Sequence, residues 1–288
     1  MVDAFFFDHL RATKSPSTIR AYFKSLGDFD HWYQVSNGEP LTAGRLTPTD
    51  LRLYVQDLND RKLAAATINL RLAAIRAYAD CYQVQLGSVK SARAARPEIH
   101  WLGKQEQAAL WREVERDYQA ASSPAGAARA TRNRAVVSLL MGAGLRLSEL
   151  CDLDRDDVEI NPRGGSVKVR HGKGDKARAV PLNADVRKHL AEWIALRPQE
   201  GPWLFCGQRQ ERLRQTGVSG MVAEYARRAK VEASPHSLRH TFAKNLVNSG
   251  VGIERVAMLL GHDSLETTRL YTLPSQQDLA RDVARLEM

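Results

Sequence analysis

Cysteine is scarce in this sequence of 288 residues, and its three cysteines lie far apart. Cys81, Cys151 and Cys206 form no C-x-x-C pair. This spacing argues against a disulfide framework and against a cysteine-rich zinc site. So few cysteines fit the reducing cytosol, and we therefore expect a cytoplasmic location.

Long apolar runs are also missing. No stretch of about 18 residues is both apolar and uncharged, which argues against a membrane-spanning helix and against a membrane partner. The apolar residues Phe5, Phe6 and Phe7 are flanked by acidic residues, and no long apolar core follows them. They therefore do not resemble a signal peptide.

Acidic residues are fewer than basic ones. The sequence has 42 Lys and Arg against 33 Asp and Glu, which gives a formal net charge of +9. Such an excess favours a polyanionic partner, although many basic proteins bind no nucleic acid. The first 87 residues are nearly balanced, at about +1, so most of the positive charge lies in the remainder of the chain.

Helical periodicity dominates the first part of the chain. Three segments place apolar side chains at helical spacing, and they begin at Ser15, Thr47 and Ala65. We interpret the aromatic side chains of these segments as core rather than as stacking platforms for bases. Arg71 and Arg76 fall outside the apolar face of the third segment. We expect them to be exposed, either as solvated surface or as contacts to DNA phosphates.

A basic segment without apolar periodicity divides the chain. We interpret residues 88–103 as a linker, because a proline blocks helix continuation there. Arg93 and Arg96 in this linker could lie along a DNA backbone. The length fits two domains, and the linker separates a helical domain, 1–87, from a second domain, 104–288.

The second domain combines helices with a β-hairpin. The pattern predicts strands over Ser166–Arg170 and Ala177–Leu182, joined by turn residues with lysines at the tip. An apolar stripe predicts a tail helix over Gln276–Leu286. The other helices predicted for this domain begin near Lys104, Arg132, Asp185 and Val218. The fold class is therefore mainly α, with a small β-hairpin or sheet in the second domain.

The residues from Ser234 to Tyr271 gather side chains suited to phosphate chemistry. Ser234 and the following proline predict a helix start, and a second helix is predicted to end at Gly261. Four side chains fall at these helix ends and beyond them: His236, Arg239, His262 and Tyr271. Cationic and proton-transferring groups together with a phenol could act on a phosphodiester.

A zinc site is the alternative chemistry for this stretch. His236 and His240 have the i, i+4 spacing of a helical metal pair, with His262 as a third candidate ligand. The metalloprotease pattern needs glutamate directly after the first histidine, where this sequence has Ser237. Arg239 between the two histidines would also repel a dication. We therefore expect no metal.

Three motifs of this sequence resemble those of the tyrosine recombinases, the integrase group that includes Xer-type and phage integrases. They are His-Ser-Leu-Arg-His, Leu-Leu-Gly-His followed nine residues later by tyrosine, and Gly-Leu-Arg-Leu-Ser-Glu-Leu at residues 144–150. The turn Gly-Lys-Gly-x-Lys extends the match. The resemblance implies the following catalytic residues: Arg146, Lys173, His236, Arg239, His262 and Tyr271.

The resemblance also implies a role for each residue. Tyr271 would attack DNA and form a 3′-phosphotyrosine, so that rejoining requires neither ATP nor another cofactor. Arg146 and Arg239 would hold the phosphate oxygens. Lys173 would protonate the departing oxygen, with Lys176 as its rival and as a candidate DNA contact. His236 and His262 would donate to the phosphate or move the tyrosine proton, while Glu149 and His240 would support the site.

The family further implies an assembly on double-stranded DNA. The first domain resembles a SAM-like core-binding domain, which would form a clamp on DNA with the catalytic domain. Four protomers would bind two recombination sites and pass through a Holliday junction. The tail would dock on a neighbouring protomer, or would pack on its own domain.

Two other functions remain open. A type IB topoisomerase would use the same chemistry to relax supercoils. A DNA-binding protein of the same fold could lack catalysis altogether.

Overall fold

Two compact units make up the chain, Met1–Glu98 and Ile99–Met288. The structure is a computed structural model that describes residues 4–87, 99–170, 177–198, 200–207, 210–262, 264–273 and 283. Most of the expected linker, with Arg93 and Arg96, lies outside these residues.

The N-terminal unit contains four α-helices in its described part. They are α1 (Ala4–Thr13), α2 (Pro16–Asn37), α3 (Pro48–Asp60) and α4 (Ala65–Cys81). Ser15 and Thr47 cap α2 and α3 through their side-chain oxygens, with proline at the first helical position. The predicted starts of α2, α3 and α4 are therefore confirmed. Helix α1 was not predicted, and it buries Phe6 and Leu10.

Aromatic rings form much of the core of this unit. Phe29 lies against Tyr54 with ring centroids 4.8 Å apart, and Phe6 meets Tyr78 edge-on at 5.4 Å. All four of these side chains are buried. The periodicity predicted Phe29, Tyr54 and Tyr78 as core, whereas Phe6 belongs to the unpredicted α1, and each ring fixes its helix against a neighbour.

The C-terminal unit is larger and mainly helical. Its described helices are α5 (Lys104–Ala120), α6 (Pro124–Ala143), α7 (Leu147–Asp152), α8 (Ala184–Leu196), α9 (Gln215–Ala229), α10 (Pro235–Asn248), α11 (Ile253–Leu260) and α12 (Leu265–Arg269). Helix α6 is central and packs against α5, α8 and α10. It begins about two turns before the predicted start, because Ser123 caps it by accepting from the Gly126 N–H group.

A three-stranded antiparallel sheet accompanies these helices. Its strands are β1 (Val158–Asn161), β2 (Gly164–Val169) and β3 (Arg178–Pro181), in that order across the sheet. The hairpin of β2 and β3 was predicted, and it pairs Val167 with Val180. Strand β1 was missed because it has only four residues, too few for its alternating pattern to stand out in the sequence.

Several predicted features fall outside the described residues. The hairpin tip, 171–176, is among them, and with it Lys173 and Lys176. The predicted tail helix is also outside, apart from Val283, which is exposed. Within the part of the chain that the structure describes, no helix is both long and apolar enough for a membrane span.

Candidate active site

Helix α10 carries three of the predicted site residues and begins where the sequence indicated. Ser234 accepts a hydrogen bond from the Ser237 N–H group at 3.1 Å and caps the helix. His236 in the first turn is exposed, His240 is half-buried, and Arg239 is only 3% exposed. The helix therefore offers one histidine to a ligand and holds its arginine in the interior.

The C-terminal end of α11 anchors three arginines. Its last residues and the glycine that follows accept one guanidinium bond each: Arg178 Nε to Leu259 O (3.0 Å), Arg239 Nη2 to Leu260 O (2.8 Å) and Arg146 Nη2 to Gly261 O (2.8 Å). The carbonyl end of a helix carries partial negative charge, which favours cations. Three successive carbonyl groups thus fix three guanidiniums side by side.

Glu149 joins the same cluster from α7. Its carboxylate accepts from Arg146 Nη1 at 2.7 Å and from Arg178 Nη1 and Nη2 at 2.9 and 2.8 Å. Arg239 Nη1 lies 3.8 Å from it. Burial alone would raise the pKa of Glu149, but the hydrogen bonds from Arg178 and from the Arg146 backbone outweigh it and lower the pKa to about 2. The carboxylate is therefore charged at neutral pH.

This cluster has more positive than negative charge. Among the described residues it combines three guanidiniums with the single carboxylate of Glu149, which leaves an excess of two positive charges. Burial lowers the pKa of Arg239 to about 10, still far above neutrality. A phosphodiester brings one negative charge and gains another in its transition state, so the excess matches the charge that develops during phosphoryl transfer.

Tyr271 lies beside the cluster in a 3₁₀ turn, Leu270–Thr272. The side chain is 1% exposed, and its hydroxyl lies 2.5 Å from His240 Nδ1. Burial raises the pKa of Tyr271, and the charge of Arg239 opposes that shift. The expected partners of this hydroxyl were His236 and His262, but its hydrogen bond is to His240.

His262 supports the tyrosine from the other side. Its Nδ1 lies 2.9 Å from Thr268 Oγ1, and its ring is stacked on that of Tyr271 with centroids 6.5 Å apart. Lys244 holds the backbone of the same turn, because its ammonium group donates to Tyr271 O at 3.3 Å and to Leu273 O at 3.2 Å. The tyrosine is thus fixed at its ring, its hydroxyl and its main chain.

Three contributors to this site were not predicted as such. Arg178 and Lys244 were absent from the expected set, and His240 was expected only as support. Lys244 follows His240 by one helical turn, and that spacing could have indicated a shared face. Arg178 had a weaker signal, since it is a charged residue in a strand with a buried neighbour, Val180.

Arg71 and Arg76, the predicted DNA contacts of the N-terminal unit, are less exposed than expected. Arg71 pairs with Asp28 at 2.7 Å and donates to Tyr54 Oη at 3.2 Å, and its side chain is only 13% exposed. Arg76 is half-buried. The expectation that both arginines are exposed was wrong, and for Arg71 the reason is that its guanidinium turns towards Asp28 and Tyr54. Their contact with DNA stays a prediction.

His236, His240 and His262 are the residues that the sequence offers as candidate metal ligands. The rings of His236 and His240 lie close, with centroids 4.2 Å apart. Across the described residues, however, no group of three or more His, Cys, Asp or Glu side chains could hold a metal ion.

Two family models match the chain, one in each unit. The model described as the phage integrase family matches residues 111–278. The model described as the phage integrase N-terminal SAM-like domain matches residues 4–81.

Curated relatives match over most of the chain. Tyrosine recombinase XerA of Thermococcus kodakarensis is 31% identical over 278 residues, which cover 95% of this chain and 91% of the relative. Tyrosine recombinase XerC of Nitrobacter winogradskyi is 33% identical over 283 residues, which cover 92% and 86%.

Solved structures share the fold. XerH site-specific recombinase bound to palindromic difH substrate matches with a TM-score of 0.75 and 24% identity, over 92% of this chain and 79% of that one. A lambda integrase dimer bound to a core site matches with a TM-score of 0.67 and 19% identity, over 94% and 95%.

Proposed function

The chain belongs to the phage integrase family and is a site-specific tyrosine recombinase, and from this premise we propose that Tyr271 cuts and rejoins its DNA. The observation that carries this proposal is the set of three guanidiniums fixed on the end of α11 beside a buried phenol. A phosphodiester is a poor electrophile, and fixed cations stabilise the charge of its transition state.

In the cleavage step, Tyr271 Oη passes its proton to a histidine of the site and forms a bond to phosphorus as the bond from phosphorus to the 5′ oxygen breaks. Arg146 and Arg239 hold the non-bridging oxygens, and exposed His236 donates to them. Lys173, with Lys176 as the alternative, protonates the departing 5′ oxygen. The product is a 3′-phosphotyrosine and a free 5′ hydroxyl. Attack by a 5′ hydroxyl from the other duplex reverses the step and rejoins the strands without ATP.

The assembly follows from single-strand exchange. Four protomers bind two double-stranded recombination sites in the cytoplasm, and exchange of one strand pair gives a Holliday junction. In each protomer, the N-terminal domain and the catalytic domain of the same chain together form a clamp on DNA. The residues after Leu273 carry the tail, which docks on a neighbouring protomer and couples the active sites. The exposed Val283 is consistent with a surface that such docking would cover.

The nucleophile assignment has a direct test. The DNA sequence that the protein selects from a random pool is made as a nicked suicide duplex, which traps the covalent complex after cleavage. We expect wild-type protein to form the adduct, and Tyr271→Phe to bind the duplex with the same affinity and form none. An adduct in the phenylalanine variant would refute the role of Tyr271.

The same duplex separates the remaining alternatives. A protein of this fold without catalysis would bind the duplex and form no adduct in the wild-type form. A type IB topoisomerase would form the adduct but relax a supercoiled plasmid without exchanging strands. We expect exchange between two plasmids that carry the selected site, measured by the size of the products.

A further inference from the structure

The hydroxyl of Tyr271 has a single side-chain partner at hydrogen-bond distance among the described residues, and that partner is a histidine. His240 Nδ1 lies 2.5 Å from Tyr271 Oη, which is short for a bond between an oxygen and a nitrogen. The tyrosine is 1% exposed, so bulk water does not reach the hydroxyl in this arrangement. When the phenol attacks phosphorus, its proton must pass to a base, and His240 is the group already at hydrogen-bond distance.

The other two histidines of the site are placed for different tasks. His262 Nδ1 is engaged with Thr268 Oγ1, and the His262 ring stacks on the tyrosine ring rather than meeting its hydroxyl. His236 is exposed, and its ring centroid lies 4.2 Å from that of His240. His236 is thus placed towards a ligand, and His240 is placed between it and the hydroxyl.

The surroundings of His240 keep its imidazole neutral before DNA binds. Burial, together with neighbouring positive charge, lowers the pKa of His240 to about 4. The groups responsible are His236 and Arg239 on α10, His262 after α11 and His100 before α5. A neutral ring with an available lone pair can accept the phenolic proton. A phosphate bound at the arginines would oppose these cations and make the imidazole more basic.

From this geometry we propose that His240 is a catalytic residue that takes the proton of Tyr271 during cleavage and returns it during rejoining. The step balances as follows: the O–H bond of Tyr271 breaks, Nδ1 of His240 gains the proton, and the oxygen forms its bond to phosphorus. The 5′ oxygen leaves with its electron pair and is protonated by a separate acid. This role rests on the recombinase function proposed above.

Helix α10 holds His240 and the backbone of Tyr271 in a fixed arrangement, which suits proton transfer in both cleavage and rejoining. Lys244 lies one turn beyond His240 on α10 and binds the main-chain carbonyls of Tyr271 and Leu273. The same helix therefore positions both the backbone and the hydroxyl of the nucleophile. A proton acceptor on this rigid element stays within reach of the oxygen.

The test measures covalent cleavage in a single turnover, using the full-length protein and the selected suicide duplex. His240→Asn places an amide oxygen where Nδ1 was, so it keeps a hydrogen-bond acceptor and removes the base. His240→Ala removes both. We expect each variant to cleave about 100-fold more slowly than wild type, with at most a few-fold difference between them. Melting temperature and DNA affinity show whether each variant is folded.

A more acidic nucleophile provides the second readout. A fluorinated tyrosine introduced only at position 271 lowers the pKa of the phenol, so its proton leaves without help. We expect this replacement to restore cleavage by His240→Asn at least tenfold and to change wild type little. A merely structural role of His240 would not produce this selective rescue.

Three results would overturn the proposal. Cleavage by His240→Asn at the wild-type rate would show that only the hydrogen bond matters. Faster cleavage by either variant would show that the bond restrains the tyrosine. Equal rescue of wild type and variant by the fluorinated residue would exclude proton transfer to His240. Absence of a wild-type adduct would instead overturn the recombinase function, which separates the two failures.

Discussion

The two units bury different kinds of polar side chain. Among described residues 4–87, the buried polar side chains are Ser25 and Asp50, and Asp50 serves as a helix cap. The described part of the C-terminal unit buries charges of both signs, namely Glu113, Arg134, Glu149, Asp157, Arg197, Arg239 and Lys244. Removing charges from water is costly, and helix packing alone does not need it. Some of these buried charges, Glu149 and Arg239 among them, lie in the candidate site, where cations are held in place.

Within the C-terminal unit, the number of carboxylates per guanidinium differs between structural ion pairs and the candidate site. Arg134 binds two carboxylates, Glu115 at 2.7 Å and Glu192 at 2.8 Å, so its charge is more than matched. The cluster around Glu149 has three guanidiniums for its one described carboxylate and fills the remaining donors with backbone carbonyls. An arginine anchored on neutral acceptors stays available to a phosphate.

The largest effect on this comparison is expected from Glu149→Gln. The pKa of Glu149 falls from an ordinary 4.5 to about 2 in the folded protein, which corresponds to about 3 kcal/mol of stability. Because the folded pKa is lowered, this contribution is present above pH 4.5 and is lost as the pH falls towards 2. We expect the variant to lose about 3 kcal/mol of unfolding free energy at pH 7. Denaturant titration at several pH values measures both effects.

Asp50→Asn is the matched control in the N-terminal unit. Asp50 accepts from the backbone N–H and hydroxyl of Thr47 at 2.9 and 2.6 Å and completes a capping box. Loss of a cap typically reduces stability by about 1 kcal/mol. Equal losses in the two variants would contradict the distinction between a capping carboxylate and one that holds three arginines.

The N-terminal unit was predicted more completely because the signals for its helices lie within short stretches of sequence. Ser15 and Thr47 each cap a helix by accepting from an N–H group three residues later, and the apolar spacing identifies the core. The site depends on contacts between distant segments. Arg146 meets the Gly261 carbonyl across 115 positions, and Arg178 meets Glu149 across 29. Motif spacing placed Arg146 and Arg239, but burial of the tyrosine and the role of Arg178 follow from packing alone.

An intermediate effect is expected from alanine at two glycines that end helices. Gly38 after α2 has φ of +76°, and Gly261 after α11 has φ of +64°, so both adopt the left-handed conformation. A Cβ at residue 38 would meet no atom within 4 Å, whereas at residue 261 it would lie 2.8 Å from Arg178 Nη1. We expect Gly38→Ala to reduce stability by about 1 kcal/mol. Gly261→Ala should reduce it by roughly twice as much, because Arg178 must also move.

Cleavage of the suicide duplex distinguishes these two variants further. Displacing Arg178 disturbs the carboxylate that orients Arg146, so Gly261→Ala should cleave at least tenfold more slowly. Gly38→Ala should cleave at the wild-type rate. Equal rates would show that the end of α11 is a structural cap and that it does not position the arginines.

The smallest effect is expected from Arg71→Ala in the N-terminal unit. Arg71 pairs with Asp28, whose side chain is 42% exposed, and it donates to the buried Tyr54 hydroxyl. Partly exposed pairs contribute little, so we expect a loss of about 0.5 kcal/mol in unfolding free energy.

Asp28→Asn shows whether Arg71 also reaches DNA. This substitution keeps the shape of the partner and removes its charge, so it should reduce stability about as much as Arg71→Ala does. If Arg71 acts only within the unit, neither variant changes the slope of log affinity against log salt. If Arg71 instead contacts a phosphate, Arg71→Ala lowers that slope by about one and Asp28→Asn tightens binding. A lower slope for Arg71→Ala with tighter binding by Asp28→Asn would show that the N-terminal unit, like the catalytic cluster, holds a buried guanidinium that binds a phosphate.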